Sequence, residues 1–386
     1  MRFRLFVLAL LMAWVAGCGG GGGGVGEGGT GSFSSGPISG FGSVIVNGIR
    51  FDDSSAGVID DEGRTRLRDE LRLGMVVAIE STRIADSGSG PSATARSIRI
   101  GSEVVGMVTA VDVANSTFSV FGQTVRVVVD RTVFDERLAG GLAALVPNTT
   151  VVEVYGFLDR ASGVFVATRV EPRLVTNFAK LRAVLDAVDS TSITIGGQVI
   201  STVGVTLPPG LAPGVIVRVI AQRMGAGWVA IRVEAAALRS EDRDDARVEG
   251  RITTLTSTRS FVVDGLAVDA TSATFPDGEA GIVVGARVEV EGAVVAGTLV
   301  ATRVKLEDDA QEFELHGTVS TLNSAARTFV LRGVTQSVTV SYTASTRFDP
   351  NGSTEADLAD GRRVEVRGLP SADGTRMLAL RIEFES

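Results

Sequence analysis

The sequence predicts an all-β protein of about five small β-barrel modules in tandem, preceded by a secretion signal and a glycine-rich tether. Three observations predict it. Short apolar segments alternate with the two-residue period of strands. Three signatures return in fixed order at a spacing of roughly 65–75 residues. Glycine, 47 of 386 residues, punctuates the segments where turns are needed.

Residues 1–18 read MRFRLFVLALLMAWVAGC, with Arg2 and Arg4 ahead of the uncharged apolar run Leu5 to Ala16. That run is short for a membrane span, which takes ~20 residues, and suits a secretory signal over residues 1–17. An N-terminal membrane helix is the competing expectation. Val15-Ala16-Gly17-Cys18 resembles the bacterial lipobox, which implies that Cys18 carries a diacylglycerol thioether and begins the mature chain. The resemblance also implies outer-membrane sorting, because Gly19 stands where an inner-membrane retention signal has Asp. Cys18 to Gly36, rich in Gly and Ser, reads as a flexible tether.

The first signature is apolar-x-apolar-x-Gly: Val44-x-Val46-x-Gly48, Phe118-x-Val120-x-Gly122, Ile193-x-Ile195-x-Gly197, Phe261-x-Val263-x-Gly265 and Phe329-x-Leu331-x-Gly333. It reads as a strand with one inward face, ending in a glycine turn. The second begins at Gly74, Thr149, Gly214, Gly285 and Gly361, followed by alternating apolar pairs such as Val288 and Val290 around Glu289. It reads as a half-buried strand. The third is Ala-x-x-(Ile/Val), from Ala95, Ala167, Ala230, Ala301 and Ala379, a closing strand with a small inward residue at a close approach. Each unit opens with a further strand, seen at Gly106-Met107-Val108, Gly250-Arg251-Ile252 and Gly317-Thr318-Val319, where the third copy places Arg182 in the glycine position.

With another strand at Val125 to Val129 or Val338 to Tyr342, each unit has about five strands. The order is three strands, an irregular or briefly helical segment, then two strands. That order resembles the OB-fold, a small Greek-key barrel. The run Gly40-Phe41-Gly42-Ser43-Val44-Ile45-Val46-Asn47-Gly48, the Leu73-Gly74-Met75-Val76-Val77 run and the Ala-x-x-Val endings resemble domain of unknown function 5666. That family occurs as tandem repeats in bacterial lipoproteins, and the resemblance implies no activity or catalytic residue. The units fall at 37–103, 104–175, 176–239, 246–306 and 313–386. Acidic joints at Arg239 to Asp245 and Glu307 to Glu312 predict separate beads on a string rather than a solenoid, whose repeat is ~20–45 residues.

Composition narrows the chemistry. One cysteine and one histidine exclude an intrachain disulfide, a zinc–cysteine cluster and a multi-histidine metal centre. The formal charge is −8, and loss of residues 1–17 removes Arg2 and Arg4, leaving −10. Nucleic acid is therefore not an expected partner, since phosphate binding needs excess Lys and Arg, and single-strand binding needs aromatic platforms as well. His316 is the only imidazole available as a catalytic base. It occupies a position matched with Val105, Leu181 and Glu249 elsewhere, so it reads as a surface or rim residue.

One loop offers metal-ligand spacing. Asp349, Asn351, Ser353, Glu355, Asp357 and Asp360 stand at positions 1, 3, 5, 7, 9 and 12, which resembles a calcium loop. Thr354 at the sixth position, Asp360 at the last and the lack of flanking helices depart from that pattern; the alternative is an ordinary polar turn. No cofactor other than calcium is expected. The expected role is a non-enzymatic structural or interaction protein of the outer membrane, facing the periplasm or the cell surface. Its partners would be the membrane, through the lipid, and an envelope protein or polysaccharide. The alternatives are a carbohydrate- or small-ligand-binding lipoprotein, marked by a cluster of exposed aromatic or Arg side chains on one face of at least one barrel, and a hydrolase, marked by a concave pocket with two carboxylates of divergent pKa.

Overall fold

The computed structural model describes residues 31–87, 90–159, 161–174, 177–235, 243–307, 312–333 and 336–385. The signal, Cys18 and the tether up to Thr30 lie outside the described residues. Each repeat folds as a five-stranded barrel. In the second, Val104–Asp112, Thr117–Val120 and Gln123–Val127 form a meander. The meander's third strand runs parallel to the last strand, Val164–Arg173, and Val151–Asp159 closes the ring against Val104–Asp112. The first, fourth and fifth repeats close in the same order. In the third, the opening strand is split into Phe178–Val184 and Ala187–Val188, which pair to either side. Strand order 1-2-3-5-4-1 is that of the OB-type barrel. Short 3-10 turns at Arg68–Glu70, Glu136–Leu138 and Glu355–Asp357 fill the gap between third and fourth strands.

Each signature has a physical cause. The glycine of the first closes a two-residue hairpin: Asn47-Gly48, Phe121-Gly122, Gly196-Gly197 and Asp264-Gly265 all have positive φ at both positions, the turn that matches strand twist. The residue opening the second signature donates its N–H to the opening strand at Ile38, Val108, Leu185, Ile252 or Val319, with positive φ. Gly74, Gly214, Gly285 and Gly361 fill this role in four repeats. In the second it is Asn148 rather than Thr149, since Asn tolerates the left-handed region better than a β-branched residue. The alanine of the third signature faces a β-bulge. Ala95, Ala167, Ala230, Ala301 and Ala379 pair with Ser81, Gly156, Ala221, Gly292 and Gly368, each beside a register shift. Two small residues are needed where the bulged strand tightens its bend.

Three expectations are corrected. The tether ends earlier than Gly36: Ser32–Phe41 is a strand, and its residues are buried. The barrels are not separate beads. Ser32–Ser35 pairs in parallel with Asp245–Val248 of the fourth repeat, and Gly40–Phe41 with Glu314–Leu315 of the fifth. Val104 and Val105 pair with Leu181 and Lys180 across the second and third. Apolar cores fuse accordingly, one spanning repeats one and five, one spanning two and three, and a third in repeat four that includes Phe33. The acidic stretch Arg243 to Asp245, read as a linker, is the start of the strand Arg243–Ser257.

The third correction concerns register. Ala183, not Arg182, stands opposite Val217, as Gly106 stands opposite Val152, Gly250 opposite Val288 and Gly317 opposite Val364. A slip of one residue exchanges the faces of a strand. The position of His316 is therefore shared by Ser35, Val105, Arg182 and Glu249, and it faces neighbouring barrels rather than the rim.

The bulge makes a sharp prediction. A Cβ on Gly292 would lie 2.1 Å from the Val300 carbonyl oxygen, whereas one on Gly227 meets nothing within 4 Å. Gly292→Val is expected to destabilise the fold by about 2 kcal/mol or more and Gly227→Ala by less than about 0.5 kcal/mol, read by urea unfolding. Equal midpoints for the two variants would refute the bulge assignment.

Candidate functional site: a charged cleft among four barrels

The shared position at the middle of the opening strand places unlike residues where barrels meet, and a cleft of about 880 Å³ lies there. Its walls come from four repeats: Phe33, Asp61 and Glu103 from the first, Phe157 from the second, Arg182 and Arg218 from the third, Glu249 and Asp264 from the fourth. The Leu207-Pro208-Pro209 loop forms another side, with Arg99 and Glu80 exposed at the edge.

The charges are paired across repeats. Arg218 Nη2 donates to Glu103 Oε1 at 3.0 Å and Oε2 at 3.3 Å, and Arg182 Nη1 reaches Oε1 at 3.5 Å. Lys180 Nζ lies 3.0 Å from both oxygens of Asp61. Arg182 Nη2 donates to the Asp264 carbonyl at 2.6 Å, tying the third repeat to the hairpin turn of the fourth. Glu249 pairs with Arg287, whose guanidinium lies over the Phe157 ring at 5.8 Å.

These surroundings drive the carboxylates apart. Burial alone would raise Glu103, but Arg182, Arg218 and Lys180 hold it below the usual range. Burial raises Asp264 to about 6, with Arg182 opposing only in part. Its Oδ2 accepts from the Arg251 N–H at 3.3 Å, while Oδ1 has no hydrogen-bond partner and is sealed from solvent. Burial also raises Glu249, and its cross-strand neighbour Glu289 to about 7.

The pocket with two divergent carboxylates, set as the mark of a hydrolase, is thus present in Glu103 and Asp264. Its chemistry is constrained, however. Both Glu103 oxygens accept from Arg218, and the Asp264 carboxylate lies beneath the wall. Of the arginines at the cleft only Arg99 is exposed, with Arg218 half-buried and Arg182 buried, so they do not form the exposed cluster set as the mark of ligand binding. Sequence reading missed this network because its members are scattered over more than 160 positions. The signal was present as charged residues inside apolar strands, in Lys180, Arg182 and Arg218, and just before one, in Glu103.

The calcium-type loop is not assembled. Arg347 and Arg381 donate to Asp349, Asp357 caps the Thr354 N–H, Asp360 accepts from the Leu322 N–H, and Glu355 pairs with Arg327. The Ser353 N–H is spent on the Pro350 carbonyl, within an ordinary turn that also contains Asn351. Five partners pull the four carboxylates apart, which sequence spacing alone does not reveal. Among the described residues, the one group of three or more metal-donor side chains that converges is Glu314, His316 and Glu365.

The sequence profile of the domain of unknown function DUF5666 matches residues 105–171, 249–305 and 316–383, falling on the second, fourth and fifth barrels. The chain carries tandem repeats of this family. Barrels of the same strand order, outside the matched residues, occupy the first and third positions. No curated protein matches the chain.

Two substitutions test the network. Glu103→Ala leaves buried Arg182 without its carboxylate and half-buried Arg218 with only Asp61 at 3.7 Å, and is expected to cost about 3 kcal/mol in chemical unfolding. Asp264 binds its proton more tightly folded than unfolded. Its contribution is therefore full below the unfolded carboxylate range, near pH 4, and is lost as pH rises through about 6. Asp264→Asn, which suits the positive φ of that turn, is expected to stabilise the protein at pH 7.5 by about 1–3 kcal/mol and to flatten this pH dependence. Unchanged stability at pH 7.5 would contradict a strained buried charge.

Proposed function

We propose that this chain is a non-enzymatic lipoprotein of the bacterial outer membrane. Cys18 holds it by its lipid, and the five barrels act as one interaction body for an envelope protein or polysaccharide. The observation that carries this reading is the use of the buried charges: they join barrels to one another instead of standing free for catalysis. The N-terminal signal, with Cys18 after Val15-Ala16-Gly17, supports the anchor and the address. No cofactor enters this reading, and the mature charge of −10 speaks against nucleic acid.

The cleft favours a second, compatible reading, in which a small polar ligand binds among the barrels. Its volume falls within the range of small-molecule sites, and Arg99, Arg218, Glu80 and Glu234 offer polar contacts beside Phe33 and Phe157.

The anchor is tested in cells. Labelled palmitate is expected to enter the wild-type chain, which partitions with outer membranes. Cys18→Ser is expected to abolish the label and release the chain to the soluble fraction. Unlabelled wild-type protein would refute the anchor.

A further inference from the structure

The seam between the first and fifth barrels holds the chain's single histidine in a setting that its neighbours define closely. Glu314 and His316 alternate along Phe313–Asn323 and so share a face. His316 stands opposite Glu365, and Glu314 opposite Arg367, on Arg363–Pro370. Gly42 of the first barrel comes so near that a Cβ there would lie 2.7 Å from His316 Cβ.

Each donor atom is oriented by a partner. Glu385 Oε1 lies 2.6 Å from His316 Nδ1, which holds the ring with Nε2 facing Glu314 and Glu365. Arg367 pairs with Glu314 Oε2 at 2.8 Å and Glu365 Oε1 at 2.6 Å. Both carboxylates therefore turn their other oxygens toward the imidazole. Glu314 Oε1 lies 3.0 Å and Glu365 Oε2 3.8 Å from Nε2. Ligands ~2.1 Å from a tetrahedral ion stand roughly 3.4 Å from one another, a value these separations bracket. Metal-binding histidines characteristically give their second nitrogen to a carboxylate, as His316 does to Glu385.

The remaining direction is taken by Arg50 of the first barrel. Its Nη1 lies 2.9 Å from Nε2, and its Nη2 pairs with Glu314 Oε1. Nε2 stands between the Arg50 guanidinium at 2.9 Å and the Glu314 carboxylate at 3.0 Å, and it accepts from Arg50 when the ring's proton sits on Nδ1 toward Glu385. In that tautomer two acceptors are held together by a cation between them. The Arg50 side chain is one-third exposed and has room to withdraw. Arg363, a further cation nearby, pairs with Glu385 Oε2 at 3.2 Å.

We propose that His316 Nε2, Glu314 Oε1 and Glu365 Oε2 form a binding site for a divalent cation of the zinc type, with Arg50 as the built-in cation that it displaces. One imidazole and two carboxylates suit zinc or cobalt better than calcium, which favours an all-oxygen shell. The site is independent of the calcium-type loop and of the proposed envelope role.

The test uses the mature chain without a histidine tag, titrated with cobalt and with zinc. Cobalt is expected to bind in the micromolar range and to broaden the signals of the sole imidazole, a readout that needs no variant. His316→Gln is expected to lose at least 100-fold in affinity and Arg367→Ala 10- to 100-fold, with melting curves confirming that each variant is folded. Arg50→Ala is expected to bind about 10-fold tighter, because the competing cation is gone. A wild-type chain that binds neither metal at roughly millimolar concentration overturns the proposal, as does binding that leaves the imidazole signals or the His316→Gln affinity unchanged. Arg50→Ala affinity no higher than wild type overturns the displacement.

Discussion

Pairing between opening strands is the interaction on which the rest of this architecture depends. A closed barrel normally has no backbone left to offer a neighbour. Here the opening strands of the first and fourth repeats run past their second strands, so that each keeps one edge paired within its own barrel while the other edge is open, and these open edges meet. Ser32–Phe41 alone serves its own barrel, the fourth and the fifth. Main-chain hydrogen bonds thus cross from barrel to barrel, and they bring the mid-strand position of each repeat into an interface. What stands there must suit its neighbours rather than the barrel. Ser35, Val105, Arg182, Glu249 and His316 are accordingly unlike one another, although the surrounding pattern repeats.

The cost of that arrangement is buried charge. Ionised groups lose hydration when enclosed, and their mutual attraction recovers this only with good geometry. The Arg218–Glu103 pair has such geometry, Arg182 stands further off at 3.5 Å, and Asp264 and Glu289 keep raised proton affinity. Apolar contacts supply the bulk of cohesion through three cores. The polar network selects which barrel face meets which, since any other docking would strand a charge.

The repeats were legible in the sequence because each signature answers to local backbone geometry. The hairpin glycines, the Val pairs and the small Ala all report on a turn, a face or a bulge within one barrel. The sixth-position Thr354 already weakened the calcium reading, and the loop proved to be a capped 3-10 turn. Association of barrels was not legible. Its determinants, such as Arg182 with Glu103 or Arg50 with His316, lie far apart in the chain and use residues that each look like a solvated strand face. The register of Arg182 was misread for a related reason: the third opening strand breaks at Leu185, and nothing local marks the one-residue offset from Gly to Ala183.

The first described strand closes some of the longest circuits among the described residues. Ser32 meets Asp245 across a separation of 213 residues, and Gly40 meets Glu314 still further on. Contacts of such span form late, since so much polymer must be confined before they are rewarded. As the chain emerges, the leading segment would thus wait, bare along one edge, until the final repeat follows. A partner able to occupy that waiting edge would act as a chaperone for this protein by simple mimicry of its own later half.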